Sequence, residues 1–144
     1  KSKKGSWDSP VLELGTTINA HPNYITLSSC SGRIMLLTQA ENNRKDLTQW
    51  PFVTHELAVA ADVKAALVNY TNNDTLFFRQ EGPILHVCCR TIESAQQLLD
   101  LAQTSGFKHA GIIGTRKKIV VELISAEQSP VTATDGYHKN VPNL

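Results

Sequence analysis

Tyr24-Ile-Thr-Leu-Ser-Ser-Cys-Ser-Gly-Arg-Ile-Met-Leu-Leu37 is the stretch of the chain with the clearest structural signal. A β-branched and aromatic run leads into it and an apolar run leads out of it, which predicts a strand, a tight turn and a second strand. Gly32 lets the turn adopt a positive φ angle. Three serine hydroxyls, the Cys30 thiol and the Arg33 guanidinium lie in the same turn, although a turn requires only the glycine.

Two interpretations of this turn compete. In the first, it is a hairpin turn with hydrophilic side chains, which is the commoner role of a serine-rich turn. In the second, it is the wall of a binding site, where hydroxyl and backbone N–H groups meet an anion or a polar ligand and Arg33 acts as a planar bidentate donor. Binding groups are often found on loops held by a rigid scaffold, but composition alone does not choose between the two.

Helix and strand signals on both sides of the stretch set the fold class. Apolar spacing and capping residues predict three helices, which begin near Ser9-Pro10, extend over residues 56–70 and follow Thr91. Apolar and β-branched runs predict further strands over residues 50–54, 75–80, 83–89, 108–113 and 117–124. Strand pairs thus recur between helices, which suggests an internal duplication.

This order of elements is not the strict alternation that builds a doubly wound parallel sheet. In addition, no Gly-x-Gly-x-x-Gly sequence follows a predicted strand. We therefore expect an α/β (α+β) fold with a mixed or antiparallel sheet and about three helices, and not a Rossmann methyltransferase fold. We expect a single domain over residues 1–124 and a polar, irregular tail over residues 125–144.

The composition is that of an ordinary globular protein, with 144 residues, 41% of them hydrophobic and 19% charged, and a formal net charge of +1. No apolar run approaches the roughly 20 residues needed to cross a membrane. The three cysteines are an odd number and include the adjacent Cys88 and Cys89, which is a poor disulfide framework and is typical of a reducing compartment. We expect a cytoplasmic location and no membrane partner.

Several segments, in order, resemble one known family. Ser28-Ser-Cys-Ser-Gly-Arg33 resembles the signature hexapeptide of the tRNA wybutosine-synthesizing protein 3 family. Lys1-Ser-Lys-Lys-Gly5 with Trp7-Asp8 resembles its opening, Ile84-Leu-His-Val87 one of its strands, and residues 94–108 a helix that ends in Gly-Phe-Lys. The matches run from residue 1 to about residue 124. The chain departs from the family near Ile124, where members usually carry an arginine.

The resemblance implies an S-adenosylmethionine-dependent tRNA methyltransferase. Its substrate would be the tricyclic wybutosine precursor, aminocarboxypropyl-demethylwyosine, beside the anticodon of phenylalanine tRNA. The alternative is a non-catalytic RNA-binding module that holds a tRNA loop with the serine-rich turn and the basic termini. The net charge of +1 argues mildly against extensive phosphate contact.

The resemblance also assigns roles to individual residues. The expected cofactor-binding residues are Ser28, Ser29, Ser31, Gly32 and Arg33, which would meet the cofactor carboxylate or a tRNA phosphate. The expected catalytic residues are His86, as base or hydrogen-bond donor, and Cys30. For His86 the alternative is structural, because a lone histidine in an apolar strand is more often a hydrogen-bonded core residue. For Cys30 the alternative is an ordinary packing role.

Two further expectations concern tRNA and metals. The residues expected to contact tRNA are Lys1, Ser2, Lys4, Arg116 and Lys117, each of which otherwise belongs to a solvated terminus or turn. His86 and Cys88, with Cys30, would offer three zinc-type ligands, but the chain has no second Cys-x-x-Cys pair. We therefore expect no metal.

Overall fold

The computed structural model describes residues 7–38, 48–126 and 128–134. In chain order these residues form a 3₁₀ turn (Ser9–Val11), α1 (Leu12–Ala20), β1 (Tyr24–Cys30), β2 (Arg33–Thr38), β3 (Phe52–Thr54), α2 (Ala60–Asn69), β4 (Leu76–Glu81), β5 (Ile84–Cys89), α3 (Ile92–Thr104), β6 (His109–Gly114), β7 (Ile119–Ile124) and β8 (Gln128–Thr134). Within these ranges no helix is long and apolar enough to span a bilayer.

The strands form two four-stranded sheets, in the orders β1-β5-β7-β6 and β3-β2-β4-β8. Every pairing between neighbours is antiparallel. For the described residues the expected α+β class is confirmed, with antiparallel pairing, three α-helices and no Rossmann fold. The hairpin interpretation of the serine-rich turn is wrong, because β1 pairs with β5 whereas β2 pairs with β3 and β4.

Contacts within the chain divide it into two units. The first comprises Lys1–Gly32 and Gly82–Glu127, and the second comprises Arg33–Glu81 and Gln128–Leu144. The expected irregular tail is wrong for Gln128–Thr134, which form β8 and pair with β4. A polar segment can do this because an edge strand is held by backbone hydrogen bonds and tolerates a proline. The expectation of one domain over residues 1–124 stays a prediction.

The core of the first unit lies between one face of its sheet and α3. Leu85, Val87 and Val121 are fully buried there, together with apolar residues of the helix. Side chains alternate between the two faces of a strand, so the intervening residues of β5 and β7 lie on the opposite face. That opposite face includes His86 and Glu122.

Both ends of α3 follow the sequence prediction. The Thr91 side chain accepts a hydrogen bond from the backbone of Ser94, and the Ser94 side chain accepts one from the backbone of Thr91. This reciprocal pair is a capping box, which satisfies two donors that the helix leaves unpaired. At the other end Gly106 has a φ of 97°, the left-handed conformation that favours glycine after a helix.

We predict that Thr91→Ala lowers the free energy of unfolding by about 1 kcal/mol, because it removes the N-cap acceptor of α3. Thr91→Ser should restore most of the loss. Thr104→Ala, an exposed substitution at the far end of the same helix, should change stability by less than about 0.5 kcal/mol. Urea titration followed by circular dichroism measures all three, and equal losses in Thr91→Ala and Thr104→Ala would contradict the prediction.

The second unit packs α2 on its sheet through Leu36, Leu67, Leu76 and Ala133. The helix begins at Ala60, not at residue 56 as the sequence predicted. Val59 has an extended backbone, with φ −85° and ψ 126°, which stops the helix from extending further back. The predicted first helix likewise begins as a 3₁₀ turn at Ser9–Val11 before α1 follows.

Candidate active site

Three polar side chains meet on the open face of the first sheet. In the strand register Ser28 of β1 lies opposite His86 of β5, and His86 lies opposite Glu122 of β7. All three lie on the face away from α3, because their neighbours Leu85, Val87 and Val121 face the buried core. We call this line of residues the polar row.

A β-bulge brings Ser28 into the polar row. Thr26 pairs with Val87, so a regular ladder would place Leu27 opposite His86. Instead, the register shifts between Thr26 and Ser28, and Ser28 takes that place. One extra residue thus exchanges an apolar side chain for a hydroxyl. Bulges commonly re-aim side chains in this way beside active sites.

Hydrogen bonds connect the polar row from end to end. Ser28 Oγ lies 2.9 Å from His86 Nδ1, and His86 Nε2 lies 2.8 Å from the Oε2 atom of Glu122. The side chains of His86 and Glu122 keep 27% and 29% of their surface exposed. His86 is therefore half-buried and hydrogen-bonded at both ring nitrogens, and it lies outside the fully buried core; its catalytic role stays a prediction.

Apolar side chains flank the polar row on both sides. Ile84 pairs with Ile124 on one side, and Cys88 pairs with Val120 on the other. Beyond Glu122 the next residue is Gly111, and no atom lies within 4 Å of the position that its Cβ would occupy. The sheet thus offers a partly apolar surface with three linked polar groups at its centre and open space at one end.

The serine-rich turn is fixed from outside its own segment. The carboxylate oxygen Oδ2 of Asp8 accepts hydrogen bonds from Ser31 N at 3.1 Å and from Ser31 Oγ at 3.3 Å. Asp8 is only 7% exposed. Gly32 has a φ of 96°, as predicted, and the Cys30 thiol donates to the Gly32 carbonyl at 3.8 Å. Burying a carboxylate costs free energy unless it accepts such hydrogen bonds. The two bonds from Ser31 therefore stabilise the buried Asp8, and Asp8 in turn fixes the conformation of the turn.

Sequence reasoning missed Asp8 and Glu122 as site residues. Asp8 closes the opening motif of the family, so its position in that motif was an available signal. Glu122 gave no comparable signal, because only the register of β7 against β5 brings it to His86.

The predicted residues of the hexapeptide do not all face the same way. Ser28 pairs with His86 and Cys30 with Ile84, whereas Ser29 between them pairs with the buried Leu85. The Ser29 side chain therefore lies on the other face of the sheet from the polar row.

The three zinc-type ligands considered from the sequence are also kept apart by the ladder. Cys30 lies opposite Ile84, and Cys88 is four residues further along β5. At about 3.3 Å per residue this is roughly 13 Å, too far for Cys30 and Cys88 to bind one ion together with His86.

Arg33 is the first residue of β2 and belongs to the second unit. Its Nε donates to Glu81 Oε2 at 2.8 Å, and its guanidinium lies over the Trp50 ring at 4.8 Å from the centroid. Arg79 Nη1 lies 3.6 Å from the other oxygen of Glu81. Two guanidinium groups thus share one carboxylate, which leaves local positive charge for an anionic ligand.

Four exposed cationic side chains lie at one end of the first sheet. Arg116, Lys117 and Lys118 form the turn between β6 and β7. Arg90 is beside them, because the preceding residue of β5 pairs with Ile119. In the part of the chain that the structure describes, no carboxylate lies within 4.0 Å of these four cations. Lys1, Ser2 and Lys4, also predicted to contact tRNA, lie outside the described residues.

The comparisons with known proteins now decide the family. The protein-family model described as methyltransferase TYW3 matches residues 1–135. The chain belongs to the TYW3 methyltransferase family.

Relatives of known name extend this finding. A tRNA wybutosine-synthesizing protein 3 homolog from Xenopus laevis is 40% identical over 137 residues, which cover 92% of this chain and 54% of the relative. A Thermococcus sibiricus protein is 37% identical over 130 residues, covering 90% of this chain and 66% of the relative. It is named tRNA(Phe) 7-((3-amino-3-carboxypropyl)-4-demethylwyosine(37)-N(4))-methyltransferase. The chain spans about half the length of the Xenopus and human relatives, at 54% and 49%.

Solved structures share the fold. The PH1069 protein from Pyrococcus horikoshii superposes with a TM-score of 0.85 at 33% identity, covering 95% of this chain and 71% of the archaeal one. A hypothetical protein from Aeropyrum pernix gives a TM-score of 0.77 at 26% identity, covering 95% and 78% of the two chains. The two-sheet architecture is therefore shared with these archaeal proteins.

The three cysteines of this TYW3 chain differ in environment. None of the three forms a disulfide; Cys30 and Cys88 are half-buried and Cys89 is buried. Burial, with a smaller contribution from the neighbouring Cys88, raises the pKa of the Cys89 thiol from 9.0 to about 11. The unfolded chain therefore ionises this thiol at lower pH than the folded chain, so Cys89 lowers stability as the pH rises through this interval.

Labelling the native chain with iodoacetamide at about pH 8 is expected to modify Cys30 and Cys88 and to spare Cys89, because the reactive species is the accessible thiolate. Peptide mass spectrometry measures the three sites separately. Labelling in urea is the control and should modify all three. Native labelling of Cys89 as fast as Cys88 would contradict the environment described above.

Proposed function

We propose that this chain transfers a methyl group from S-adenosylmethionine to a nitrogen of 7-aminocarboxypropyl-demethylwyosine at position 37 of phenylalanine tRNA, the substrate in the name of the Thermococcus relative. The observation that carries the proposal is the half-exposed His86, which is hydrogen-bonded on both sides in a chain of the TYW3 methyltransferase family. Three cysteines without a disulfide among them fit the proposed cytoplasmic location.

The residues of the first unit fit the cofactor's chemistry. We propose that Ser28, Ser31 and Gly32 lie against the methionine part of the cofactor, whose ammonium group needs acceptors. The hydroxyls of Ser28 and Ser31 are hydrogen-bonded to His86 and Asp8, and their oxygens keep lone pairs for this contact. The adenine of the cofactor needs a flat apolar surface, which Ile84 and Ile124 supply next to the polar row. We propose that Ser29 contributes through its backbone and that Arg33 supplies the cationic partner of the cofactor's carboxylate.

When bound, the cofactor supplies an electrophilic methyl group, so little covalent chemistry is left to the protein. The chain has to hold the accepting nitrogen in line with that methyl and to remove one proton from the nitrogen. We propose that His86 accepts this proton. Cys30 stays a predicted catalytic residue, although its contact with the Gly32 carbonyl supports a part in holding the turn.

We further propose that the anticodon loop is held by the basic end of the first sheet. The cations there are Arg116 and Lys117, with Arg90 and Lys118 beside them. Arg90 is four residues along β5 from His86, or about 13 Å, so these cations would meet phosphates of nucleotides that flank the modified base. Lys1, Ser2 and Lys4 would add contacts from the N-terminal segment. A local patch of this kind reconciles tRNA binding with a net charge of only +1.

The double variant Arg116→Glu/Lys117→Glu is expected to weaken tRNA binding about tenfold or more in low salt, and to lower the salt dependence of binding, because two phosphate contacts are lost. Lys64→Glu/Lys108→Glu, which makes the same change in net charge at exposed sites elsewhere, is the matched control. Filter binding of phenylalanine tRNA over a salt series measures both. Equal losses in the two double variants would show only a general charge effect and would contradict the proposed surface.

Calorimetric titration of S-adenosylmethionine into the wild-type chain and into Arg33→Ala tests the cofactor site. We expect micromolar binding to the wild type and at least a tenfold loss in Arg33→Ala, since a charge-assisted pair with the carboxylate is removed. If S-adenosylmethionine still binds to Arg33→Ala, the chain would still be a cofactor-binding enzyme, and Arg33 would be assigned to a contact with tRNA instead. Absence of binding to both, with or without tRNA, would favour the non-catalytic RNA-binding module.

A further inference from the structure

We propose that Glu122 is a positioning residue for the methyl transfer. Its carboxylate holds His86 in the tautomer with the proton on Nε2, so that Nδ1 accepts a proton handed on by the Ser28 hydroxyl. Ser28 is then the group that touches the reacting nitrogen, and His86 is the base behind it. This inference rests on the proposed N-methylation and adds to it the order in which the three groups act.

The hydrogen-bond geometry fixes the tautomer. A carboxylate has no proton to donate, so in the contact of 2.8 Å the Nε2 atom of His86 is the donor and Glu122 is the acceptor. In a neutral imidazole the other nitrogen then has a free lone pair. The contact of 2.9 Å to Ser28 is therefore a bond in which the serine hydroxyl donates to Nδ1.

The sheet holds this arrangement in place. His86 and Glu122 are directly opposite each other on the two central strands, β5 and β7, where cross-strand side chains are about 5 Å apart. The neighbouring residues Leu85 and Leu123 are anchored in the core below. On its other side Glu122 faces Gly111, which has no side chain to compete for the carboxylate.

The exposed side of the polar row is its serine end. Ser28 is exposed, whereas His86 and Glu122 keep about a quarter to a third of their side-chain surface. Both ring nitrogens of His86 are occupied by the two hydrogen bonds, so a substrate N–H finds its acceptor on Ser28 Oγ, whose lone pairs remain available. The bulge in β1 is what puts a hydroxyl at this place.

The proton transfer balances along this path. As the nitrogen–methyl bond forms, the N–H proton passes to Ser28 Oγ, and the hydroxyl proton of Ser28 passes to His86 Nδ1. The nitrogen ends neutral and methylated, and the cofactor's sulfonium ends as a neutral thioether. The positive charge ends on the imidazolium of His86, next to the carboxylate of Glu122, which stabilises it.

The experiment compares wild type, Glu122→Gln and Ser28→Ala, with Glu13→Gln as the control because Glu13 is an exposed carboxylate of α1 in the same unit. The ¹⁵N chemical shifts of His86 report its tautomer and require no activity. We expect the Nε2–H form in wild type and in Glu13→Gln, and a mixture of both tautomers in Glu122→Gln, because an amide can donate as well as accept.

The kinetic expectation is a fall in kcat for methyl transfer of about tenfold or more in both Glu122→Gln and Ser28→Ala. In Glu122→Gln, KM for tRNA and Kd for S-adenosylmethionine should remain within about twofold of wild type, because Glu122 acts through His86 and touches neither ligand. A substitution that only loosened the strand pairing would instead change stability and binding together. Thermal unfolding checks that each variant folds.

The outcomes separate the inference from the proposed function. A tautomer unchanged in Glu122→Gln, or a kcat equal to wild type, would overturn the positioning role of Glu122. Full activity in Ser28→Ala would overturn the passage of the proton through serine and leave His86 in direct contact with the substrate. A wild-type chain with the Nε2–H tautomer but without methyl transfer under any condition would overturn the proposed function, and with it the catalytic part of this inference.

Discussion

Replacing His86 with glutamine is expected to lower the rate of methyl transfer by about 10²- to 10⁴-fold, the usual contribution of a positioned general base. Glutamine keeps a polar side chain of similar reach, so the open face of the sheet stays hydrated and the strand stays paired. The loss should therefore appear in kcat, while S-adenosylmethionine and tRNA bind as in wild type. Single-turnover transfer of a labelled methyl group measures the effect.

His109→Gln is the matched control for this experiment. His109 is an exposed histidine on β6 of the same sheet, and its loss should leave the rate within about twofold. The rates of the two variants should therefore differ by about 10²-fold or more. A His86→Gln variant that folds and methylates at the wild-type rate would show that His86 is only a half-buried structural residue.

Replacing Asp8 with asparagine should weaken cofactor binding about tenfold or more and lower the free energy of unfolding by about 1–3 kcal/mol. Asp8 is buried, and its carboxylate accepts both the backbone N–H and the hydroxyl of Ser31. Hydrogen bonds to a charged acceptor are the stronger ones, and an amide removes that charge from the acceptor of both Ser31 bonds. The serine-rich turn should therefore lose its defined conformation.

Asp100→Asn is the control for Asp8→Asn. Asp100 is exposed on α3 and accepts one hydrogen bond from Gln96, which an asparagine carbonyl can also accept. Calorimetry and urea unfolding on both variants measure affinity and stability. An Asp8→Asn variant with unchanged cofactor affinity and stability would contradict the idea that Asp8 organises the turn.

Structural features that depend on one short segment could be predicted from the sequence. The capping role of Thr91, the positive φ of Gly106 and the positive φ of Gly32 all follow from the conformations that these residue types prefer. The position of His86 among apolar residues of β5 was also correct. What the sequence could not show is that the ring lies on the open face of its sheet.

The sequence did not show which strands pair with each other. One of the two interpretations of the serine-rich turn made the strands that flank Gly32 a hairpin, but each of them pairs with a strand distant in sequence. A turn of glycine and serine fixes the local bend of the chain and not the partners of the strands that leave it. The same limit hid β8, whose pairing with β4 depends on backbone hydrogen bonds and not on an apolar pattern.

The polar row depends on register, which is a non-local property. Ser28 faces His86 only because of the bulge after Thr26, and Glu122 faces His86 only through the pairing of β7 with β5. A shift of one residue in either ladder would turn the side chain to the other face. A family resemblance could point to Ser28 and His86, but only the strand register adds Glu122.

The most direct test of the account is methyl transfer by the chain itself. Phenylalanine tRNA that carries 7-aminocarboxypropyl-demethylwyosine is incubated with the chain and methyl-labelled S-adenosylmethionine, and the digested nucleosides are analysed by mass spectrometry. The tricyclic nucleoside should gain one labelled methyl group with wild type, and the gain should be lost with His86→Gln. Tight binding of both cofactor and tRNA without any methylated nucleoside would contradict the proposed function.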